Sequence, residues 1–349
     1  MSAVPGRPQD TSPARVPRVV VLGGGSWGTT VASILARSAP TVLWARSAEV
    51  VADVVGGSRN SRYLGDARLH PGLTATASLP DAVRDADVLV MAVPSHAFRQ
   101  VLEDIRAHLR PWIPVVSLVK GLEEGTGMRM TQIVAQVLPG HPAGVLAGPN
   151  IAREVLAGQA AAATIAMPDQ NLSATLRELF RTPRFRIYST TDVVGVEAAG
   201  ALKNIYAIAA GMGDGVGAGD NTRAMVLTRA LREMTLLGMA MGGERETFAG
   251  MAGMGDLFVT CSSPHSRNRH VGEMLGQGMT VAEILRGMTQ VAEGVKAAPV
   301  AMKLAADLGV QLPIASKVDA VVRGEATVKT AYRGLLAVAP GHEVMGEAW

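Results

Sequence analysis

Between residues 18 and 190, short apolar runs rich in β-branched side chains alternate with stretches of helical periodicity. The predicted strands are residues 18–22, 41–44, 87–93, 115–119, 143–146, 162–166 and 185–188, and the helices between them include residues 28–38, 97–109 and 130–137. Several of these strands are continuous apolar runs, which is typical of strands that are covered on both faces. The alternation therefore predicts an α/β fold with a doubly wound, mostly parallel sheet.

After residue 191 the β-rich runs stop, and long stretches rich in Ala, Leu and Met follow. Helices are predicted at residues 193–210, 222–241, 280–286, 294–307 and 314–322, with glycine-rich joints at residues 211–219 and 250–255. This pattern predicts a second, all-helical domain. We therefore divide the chain into a flexible N-terminal tail at residues 1–17, a dinucleotide-binding α/β domain at residues 18–190 and a helical substrate-binding domain at residues 191–349.

The composition suits two folded domains and a small anionic ligand. The chain has 349 residues, of which 48% are hydrophobic and 18% are charged, so it can bury a large interior and wholesale disorder is excluded. Its net charge is +3, only 4% of its residues are aromatic, and no basic stripe is interleaved with aromatic residues. These features disfavour a nucleic-acid partner.

The cysteine count and the apolar stretches bear on the compartment. A single cysteine, Cys261, excludes an internal disulfide framework and is typical of a reducing compartment. The tail lacks the apolar segment of a signal peptide. The longest apolar stretch, residues 193–213, contains Glu197 and Lys203, which favours a buried helix over a membrane span. We therefore expect a cytoplasmic protein without stable membrane association.

The first predicted strand runs into GGGSWG (residues 23–28) and then into a helix. In this G-x-G-x-x-G pattern Gly23 permits the tight turn, Gly25 lets the backbone approach a pyrophosphate, and Gly28 lets helix and strand pack closely. The helix N-terminus then presents free N–H groups to the anion. A plain glycine turn is the alternative, but the strand–turn–helix context favours a dinucleotide site.

The end of the second predicted strand discriminates between cofactors. A site specific for NAD usually carries Asp or Glu there to bind the ribose 2′-hydroxyl. This chain has Arg46 instead, and its first acidic residue is Glu49. Arg46 can pair with a 2′-phosphate or stack on adenine, and NADPH is favoured over NADH. The alternative is a solvated loop arginine.

Lys203 lies in a predicted helix that is otherwise made of small and apolar residues. Ala199 and Gly200, one turn earlier, allow close packing around it. Because burial lowers the pKa of a lysine, such a group can donate or accept a proton near neutral pH. A lysine whose ammonium group reaches solvent is the alternative.

Three further clusters are candidates for binding or catalysis. Lys120 follows a buried strand, at the carboxyl edge where α/β sheets bind ligands. Asp256 lies between glycines and an apolar run, and SPHSRNRH (residues 263–270) places hydroxyl groups, an amide and cations in a loop that suits a phosphate. A surface lysine, a helix cap and a solvated basic loop are the respective alternatives. The seven histidines are scattered, so no metal site is predicted.

Together these clusters form an ordered series of motifs: GGGSWGTTVA (residues 23–32), VKGLE (119–123), AGPNIARE (147–154), ALKNI (201–205), GMGDLFVTC (253–261), SRN (266–268) and VAEGV (291–295). Over residues 18–322 the chain resembles the bacterial NAD(P)-dependent glycerol-3-phosphate dehydrogenases. The resemblance implies an N-terminal Rossmann-type domain and an all-helical C-terminal domain, with the site between them. It also implies a homodimer that interconverts dihydroxyacetone phosphate and sn-glycerol 3-phosphate, the backbone for phospholipid synthesis.

The resemblance also implies roles for individual residues. Lys203 matches the proton donor and acceptor, with Lys120 and Asp256 beside it in catalysis. The residues that match the contacts of the phosphorylated triose are Lys120, Gly148, Asn150, Lys203, Asp256, Ser266, Arg267 and Asn268. Besides the three glycines, those that match the cofactor contacts are Ser26, Trp27, Arg46, Tyr63, Lys120, Ala152, Arg267, Val291 and Glu293.

The chain departs from the family pattern at two places. Asn150 stands where Ser is commoner, and both side chains can form hydrogen bonds. Arg46 and Ser47 replace a usual His-Arg pair, which leaves one cation fewer for the 2′-phosphate.

Two other functions remain open at this point. One is a β-hydroxyacid or ketopantoate-type reductase on the same architecture. The SRN motif argues against this function. The other is a non-catalytic dinucleotide-binding protein. The presence of Lys120, Lys203 and Asp256 together argues against that function.

Overall fold

The computed structural model describes residues 16–288 and 292–336. Its N-terminal part is built on an eight-stranded sheet in the order β3-β2-β1-β4-β5-β6-β7-β8. The strands are β1 Val19–Leu22, β2 Thr41–Trp44, β3 Leu73–Thr76, β4 Val88–Met91, β5 Val115–Ser117, β6 Ala143–Ala147, β7 Ala161–Ala166 and β8 Phe185–Thr190. Neighbouring strands are parallel except for β6 and β7. The prediction of a doubly wound, mostly parallel sheet is confirmed.

Helices cover both faces of the sheet. They are α1 Ser26–Leu35, α2 Ala48–Gly57, α3 Ser61–Leu64, α4 Leu79–Val83, α5 Ser95–Ile105, α6 Met130–Val137, α7 Ala152–Leu156 and α8 Gln170–Phe180. Successive side chains of a strand point to opposite faces, so Val19 and Val21 of β1 join one apolar core and Val20 and Leu22 join the other. Because both faces are covered, the central strands β1 and β4 are fully apolar and fully buried, as their sequence indicated.

The order of the strands locates a ligand crevice. β1 lies between β2 and β4. Strands β2 and β3 follow on one side of β1, and the chain then crosses to the other side, where β4 and the later strands lie. In open α/β sheets, ligands bind outside the carboxyl ends of the strands at such a switch point. The glycine turn after β1 lies there.

The second part of the chain is helical. Its elements are α9 Val193–Gly215, α10 Asp220–Ala240, α11 Arg245–Ala249, a π-helical turn Met251–Gly255, α12 Asp256–Ser262, α13 Arg267–Gly276, α14 Val281–Arg286, α15 Glu293–Asp307, α16 Pro313–Val322 and α17 Val328–Leu336. Helices α10, α12, α13, α15 and α16 pack against α9. The prediction of an all-helical second domain is confirmed, whereas the exact domain limits stay a prediction.

Glycines bring α9 and α13 unusually close together. A Cβ atom at Gly211 would clash with the carbonyl oxygen of Arg269, and one at Gly272 would clash with that of Ile208. The prediction of a joint that begins at residue 211 is therefore wrong. Helix α9 continues through Gly211 to Gly215, because its glycines allow another helix to approach and do not end the helix.

Two other predicted loops are also helical. The predicted joint at residues 250–255 is the π-helical turn that leads into α12. The predicted loop at residues 263–270 contains the first turn of α13, with Ser266 as its N-cap. Strand β3 was not among the predicted strands, because only the first of its four residues is buried and it has no continuous apolar run.

Helix α9 is long and apolar enough to cross a membrane, by length and composition only. In the structure, 89% of its apolar window is buried inside the protein. The prediction that this stretch is a buried helix is therefore confirmed.

Candidate active site

The turn between β1 and α1 has the geometry that its glycines predicted. Gly23 has a φ of 130°, and a Cβ atom there would lie 2.5 Å from the carbonyl oxygen of Ala92. A Cβ atom at Gly28 would clash with the carbonyl oxygen of Gly23, so helix and turn are in direct contact. At Gly25, by contrast, no atom lies within 4 Å of the Cβ position. The backbone is thus open to a ligand at Gly25.

The N-terminus of α1 fits an anion. No side chain caps this helix, so its first N–H groups keep their hydrogen-bonding capacity for a ligand. The first turn carries no acidic residue that would repel a pyrophosphate. The open approach at Gly25 and this helix terminus therefore suit the pyrophosphate of a dinucleotide.

Several predicted cofactor residues surround this terminus. Ser26 Oγ donates to the carbonyl oxygen of Tyr63 at 3.4 Å, and the carbonyl oxygen of Ala152 accepts from Thr30 of α1 at 3.3 Å. Trp27 packs edge-on against Phe185, with ring centroids 6.2 Å apart. The structure thus brings these predicted residues to one end of α1.

A residue that the sequence analysis missed holds the glycine turn. Asn60 Nδ2 donates to the carbonyl oxygen of Gly24 at 2.9 Å and to Thr29 Oγ1 at 2.8 Å. It lies in the segment that also contains Tyr63, 36 residues after Gly24. A contact between residues so far apart leaves no periodic pattern in the sequence, so it could not be predicted from the sequence.

The remaining predicted cofactor residues are more dispersed. Arg46 is exposed just after β2, beside Ser47, which caps α2. Glu293 begins α15 and accepts hydrogen bonds from Ser95 N at 3.4 Å and Ser95 Oγ at 2.6 Å. It thereby joins the helical part of the chain to the N-terminus of α5. Val291 lies outside the described residues.

The three predicted catalytic residues meet at a single carboxylate. Lys203 Nζ lies 2.5 Å from Asp256 Oδ1, and Lys120 Nζ lies 2.6 Å from Asp256 Oδ2. Lys120 comes from the loop after β5, Lys203 from the middle of α9 and Asp256 from the start of α12. Lys203 is 5% exposed and Asp256 is 1% exposed, so the Lys203–Asp256 pair is almost fully desolvated.

Burial changes the acidity of Lys203. Desolvation lowers the pKa of its ammonium group to about 8, although Asp256 opposes the shift, and the positive charge of Lys120 lowers the pKa further. Lys203 Nζ also donates to Thr260 Oγ1 at 2.6 Å. The ammonium group is therefore held in place and can release its proton near neutral pH.

The neighbouring predicted substrate residues line the same region. Lys120 Nζ donates to the carbonyl oxygen of Gly148 at 2.9 Å. Asn150 follows two residues later, and both polar atoms of its side chain are buried without a hydrogen-bond partner. Because orphaned buried amides are costly, Asn150 is suited to bind a polar ligand.

The predicted phosphate residues lie at the N-terminus of α13. Ser266 caps the helix through Arg269 N, and Arg267 is its first residue. Arg267 is exposed to solvent, yet the surrounding protein lowers the pKa of its guanidinium by desolvation, an effect that Glu293 opposes. A helix N-terminus with a hydroxyl group and an arginine is a good site for a phosphate.

Asn268 differs from the other predicted substrate residues. Its side chain points inward: Nδ2 donates to Asn204 Oδ1 at 2.9 Å, and Oδ1 accepts from Gly294 N at 2.9 Å. Asn204 in turn donates to the carbonyl oxygen of Lys120 at 3.0 Å. The first turn of α13, where a phosphate is predicted to bind, is thus connected to the backbone of Lys120.

Asn204 and Thr260 also contact these residues and were not predicted from the sequence. Both lie within the motifs of the predicted catalytic residues: Asn204 follows Lys203, and Thr260 is one helical turn after Asp256. That i, i+4 spacing was the available signal for Thr260. Asn204 gave no signal from spacing, because its partners are 84 and 64 residues away.

This arrangement can do two things chemically. A buried ammonium group of lowered pKa can deliver a proton to an oxygen that becomes negatively charged, and a second ammonium group beside it can stabilise that charge. The helix N-terminus at Ser266 and Arg267 can hold a phosphate nearby. Within residues 16–288 and 292–336, no group of three or more His, Cys, Asp or Glu side chains is placed to hold a metal ion.

Comparison with known proteins gives consistent matches. The family model "NAD-dependent glycerol-3-phosphate dehydrogenase N-terminus" matches residues 18–173, and the corresponding C-terminal model matches residues 192–333. Glycerol-3-phosphate dehydrogenase [NAD(P)+] 1 of Mycobacterium tuberculosis is 63% identical over 96% of this chain and 98% of its own length. The corresponding enzyme of Geobacter sulfurreducens is 46% identical over 95% of this chain and 99% of its own length.

A solved structure agrees with these matches. The crystal structure of glycerol-3-phosphate dehydrogenase from Coxiella burnetii superposes with a TM-score of 0.88 at 33% identity. The match covers 92% of this chain and 99% of that one.

Proposed function

The chain belongs to the NAD-dependent glycerol-3-phosphate dehydrogenase family, and from that premise we propose how its own residues carry out the family reaction. The protein is an oxidoreductase that reduces dihydroxyacetone phosphate to glycerol 3-phosphate with NADH or NADPH. The predicted family, reaction and cofactor class are confirmed. The two alternatives, a hydroxyacid or ketopantoate-type reductase and a non-catalytic dinucleotide-binding protein, are set aside.

The contact between Lys203 and Asp256 carries the proposed mechanism. When bound, the nicotinamide supplies the hydride, which is the chemistry of the cofactor itself. Lys203 delivers a proton to the substrate oxygen that was the carbonyl, and Lys120 stabilises the negative charge that develops on it. Asp256 fixes both ammonium groups at 2.5 and 2.6 Å and offsets their charge. In the reverse direction neutral Lys203 accepts the proton.

The substrate phosphate binds at the N-terminus of α13 in this proposal. Arg267 and Ser266 hold it, and Asn150, whose buried amide has no partner in the protein, binds a polar group of the substrate. Binding energy from the phosphate positions the distant carbonyl next to Lys203. An unphosphorylated substrate loses this contribution.

The same proposal covers cofactor preference. Arg46 is exposed at the carboxyl end of β2, where it can reach a ribose 2′-phosphate. We therefore expect Arg46→Ala to weaken NADPH binding about ten- to a hundredfold and NADH binding much less, because only NADPH carries that phosphate. Titration of nicotinamide fluorescence with each cofactor measures both affinities. An equal loss for both would mean that Arg46 contacts the adenosine in another way.

The wider role rests on the family resemblance. We propose that the protein is a cytoplasmic homodimer that supplies glycerol phosphate for phospholipid synthesis. The burial of α9 supports the proposal that this helix is part of the protein core and does not cross a membrane. Sedimentation of the purified protein tests the dimer.

A substrate panel tests the assignment directly. NADPH oxidation is measured with dihydroxyacetone phosphate, with dihydroxyacetone and with ketopantoate. We expect turnover of the first substrate and a KM for dihydroxyacetone at least about a hundredfold higher, since a charge-assisted phosphate contact contributes about 1.5–3 kcal/mol and the proposed site offers both Arg267 and the N-terminus of α13. Efficient reduction of dihydroxyacetone would contradict the phosphate site, and efficient reduction of ketopantoate would contradict the function.

A further inference from the structure

Two asparagine side chains form a buried chain of hydrogen bonds across the active site. Asn204 Nδ2 donates to the carbonyl oxygen of Lys120 at 3.0 Å, Asn268 Nδ2 donates to Asn204 Oδ1 at 2.9 Å, and Gly294 N donates to Asn268 Oδ1 at 2.9 Å. We call these four groups the amide relay. Asn204 is 5% exposed and Asn268 is 8% exposed, so water competes little for these bonds.

The relay leaves Asn268 little capacity for a substrate. Both ends of its carboxamide already have protein partners, one on α9 and one at the start of α15. Its backbone N–H, in the first turn of α13, remains in the position from which a phosphate is bound. In this arrangement the backbone N–H of Asn268 can make the substrate contact that the family resemblance implies, while its side chain holds the two neighbouring helices.

Each end of the relay leads to a different part of the site. One end holds the backbone of Lys120, whose ammonium group lies on Asp256. The other holds Gly294, next to Glu293, a predicted cofactor contact. A Cβ atom at Gly294 would lie 2.5 Å from the carbonyl oxygen of Asn204, so these segments have no room to slide past one another.

We infer that Asn204 and Asn268 are positioning residues that couple phosphate binding at α13 to the placement of Lys120 and to cofactor binding at α15. This inference rests on the proposed phosphate site. A phosphate on the first turn of α13 fixes that turn, and the buried hydrogen bonds then fix Gly294 and the Lys120 backbone with it. Breaking one bond of such a chain leaves buried groups unpaired and disconnects its ends.

The coupling is measured by binding, without turnover. NADPH affinity is determined by fluorescence titration with and without glycerol 3-phosphate, and again with inorganic phosphate. For the wild type we expect the phosphate ligand to tighten NADPH binding by at least about fivefold, the lower end of typical coupling between sites. In Asn204→Ala and in Asn268→Ala this factor should fall close to one. In the double variant it should fall no further, because one chain is broken in each case.

Two results would overturn the inference. The first is a wild-type protein in which phosphate ligands leave NADPH affinity unchanged. The second is an Asn268→Ala protein that binds phosphate alone at least tenfold more weakly but keeps the coupling, which would make Asn268 a direct substrate contact. Loss of turnover with dihydroxyacetone phosphate in the wild type would instead contradict the proposed function, so the two failures are distinguishable.

Control variants separate coupling from general destabilisation. Ser173→Ala removes a buried hydroxyl that donates to the carbonyl oxygens of Ile165 and Thr190, on the sheet and outside the active site. It should leave the coupling unchanged. If Asn268→Ala does not fold, Asn204→Asp serves in its place, because it keeps the acceptor for Asn268 and replaces the donor to Lys120 with a carboxylate oxygen that repels the carbonyl oxygen of Lys120. We expect it to lose the coupling and to lower kcat, and retention of both would also overturn the inference.

Discussion

One carboxylate and two lysines determine the acid–base properties of the proposed site. Asp256 alone would keep Lys203 protonated, whereas burial and Lys120 favour its neutral form. Burial is the largest of these effects, so the pKa of Lys203 moves down to about 8 and not up. An ordinary surface lysine, with a pKa of about 10.4, would hold its proton too tightly to exchange it at neutral pH.

Removing the Lys203 side chain should separate catalysis from binding. We expect Lys203→Ala to lower kcat for dihydroxyacetone phosphate by about 10²–10⁴-fold, the usual contribution of a general acid. NADPH affinity should stay within about threefold of wild type, because Lys203 lies on Asp256 and Thr260 and not at the glycine turn. A variant that retains more than a third of wild-type kcat would remove Lys203 from the chemistry.

The pKa of Lys203 also gives opposite pH profiles for the two directions. Reduction needs the protonated lysine, so kcat/KM for dihydroxyacetone phosphate should be level below pH 8 and fall above it. Oxidation of glycerol 3-phosphate needs the neutral lysine, so its kcat/KM should rise up to about pH 8 and then level off. Measurements above pH 7 avoid titration of the substrate phosphate, whose second pKa is about 6. Parallel profiles in both directions would contradict this assignment.

The sequence predicted only some of these residues, for a physical reason. Lys203 and Lys120 were noticed because a charge in an apolar helix or after a buried strand is unusual. Asn204 and Ser95 gave no such signal, since a polar residue on a helix is ordinary until its partner is known. The partner of Ser95 is Glu293, 198 residues later, and no local pattern encodes that contact.

At the scale of elements, the turn from β1 to α1 uses each of its glycines differently. Gly23 and Gly28 are surrounded by backbone, so their missing side chains let the strand, the turn and the helix touch. Gly25 has φ −75° and ψ 177°, which any residue can adopt, and open space around its Cβ position. Its missing side chain therefore benefits a ligand and not the fold.

Alanine at Gly25 and alanine at Gly28 should therefore have different effects. Gly25→Ala should keep the melting temperature within about 2 °C of wild type and weaken NADPH binding at least tenfold. Gly28→Ala should lower stability by about 1–3 kcal/mol through overpacking, as well as weaken NADPH binding. Thermal unfolding without cofactor and NADPH titration measure the two effects. Unchanged NADPH affinity in Gly25→Ala would place the pyrophosphate elsewhere.

The elements that were predicted least well are those whose residues serve more than one purpose. In α9 the glycines looked like a joint, but they make room for α13. Strand β3 lies at the edge of the sheet and only its first residue is buried, so it lacks the continuous apolar run of the central strands. Central strands such as β1 and β4 were predicted well because burial on both faces alone determines their pattern.

At the scale of the whole molecule, contacts between the α/β and helical parts assemble the site. Glu197 of α9 accepts from Arg129 and Thr131 at the start of α6, at 2.5 to 2.9 Å. The pairs Lys120–Asp256 and Ser95–Glu293 join the same two parts. The proposed site therefore needs residues from both parts, which is why its motifs lie far apart along the chain.

The helical part contains a buried carboxylate that should make stability depend on pH. Glu233 of α10 accepts from Ile314 N at 2.7 Å, Ala315 N at 3.2 Å and Tyr206 OH at 3.2 Å, and so joins α10 to α9 and α16. Desolvation raises the pKa of Glu233 to about 7, although these hydrogen bonds oppose the shift. The folded state therefore binds this proton more tightly than the unfolded state, in which the usual value of 4.5 applies.

The sign of the effect follows from that difference. The contribution of Glu233 to stability is fully present below pH 4.5 and is lost as the pH rises through about 7. Between pH 5 and pH 8 we expect the wild type to lose about 2–3 kcal/mol relative to Glu233→Gln, which stays neutral and resembles the protonated form. Urea-induced unfolding of both proteins without cofactor measures this, with Glu246→Gln, an exposed glutamate of α11, as the matched control. If wild type and Glu233→Gln changed equally with pH, Glu233 would be ionised throughout this range, and its hydrogen bonds would outweigh its burial.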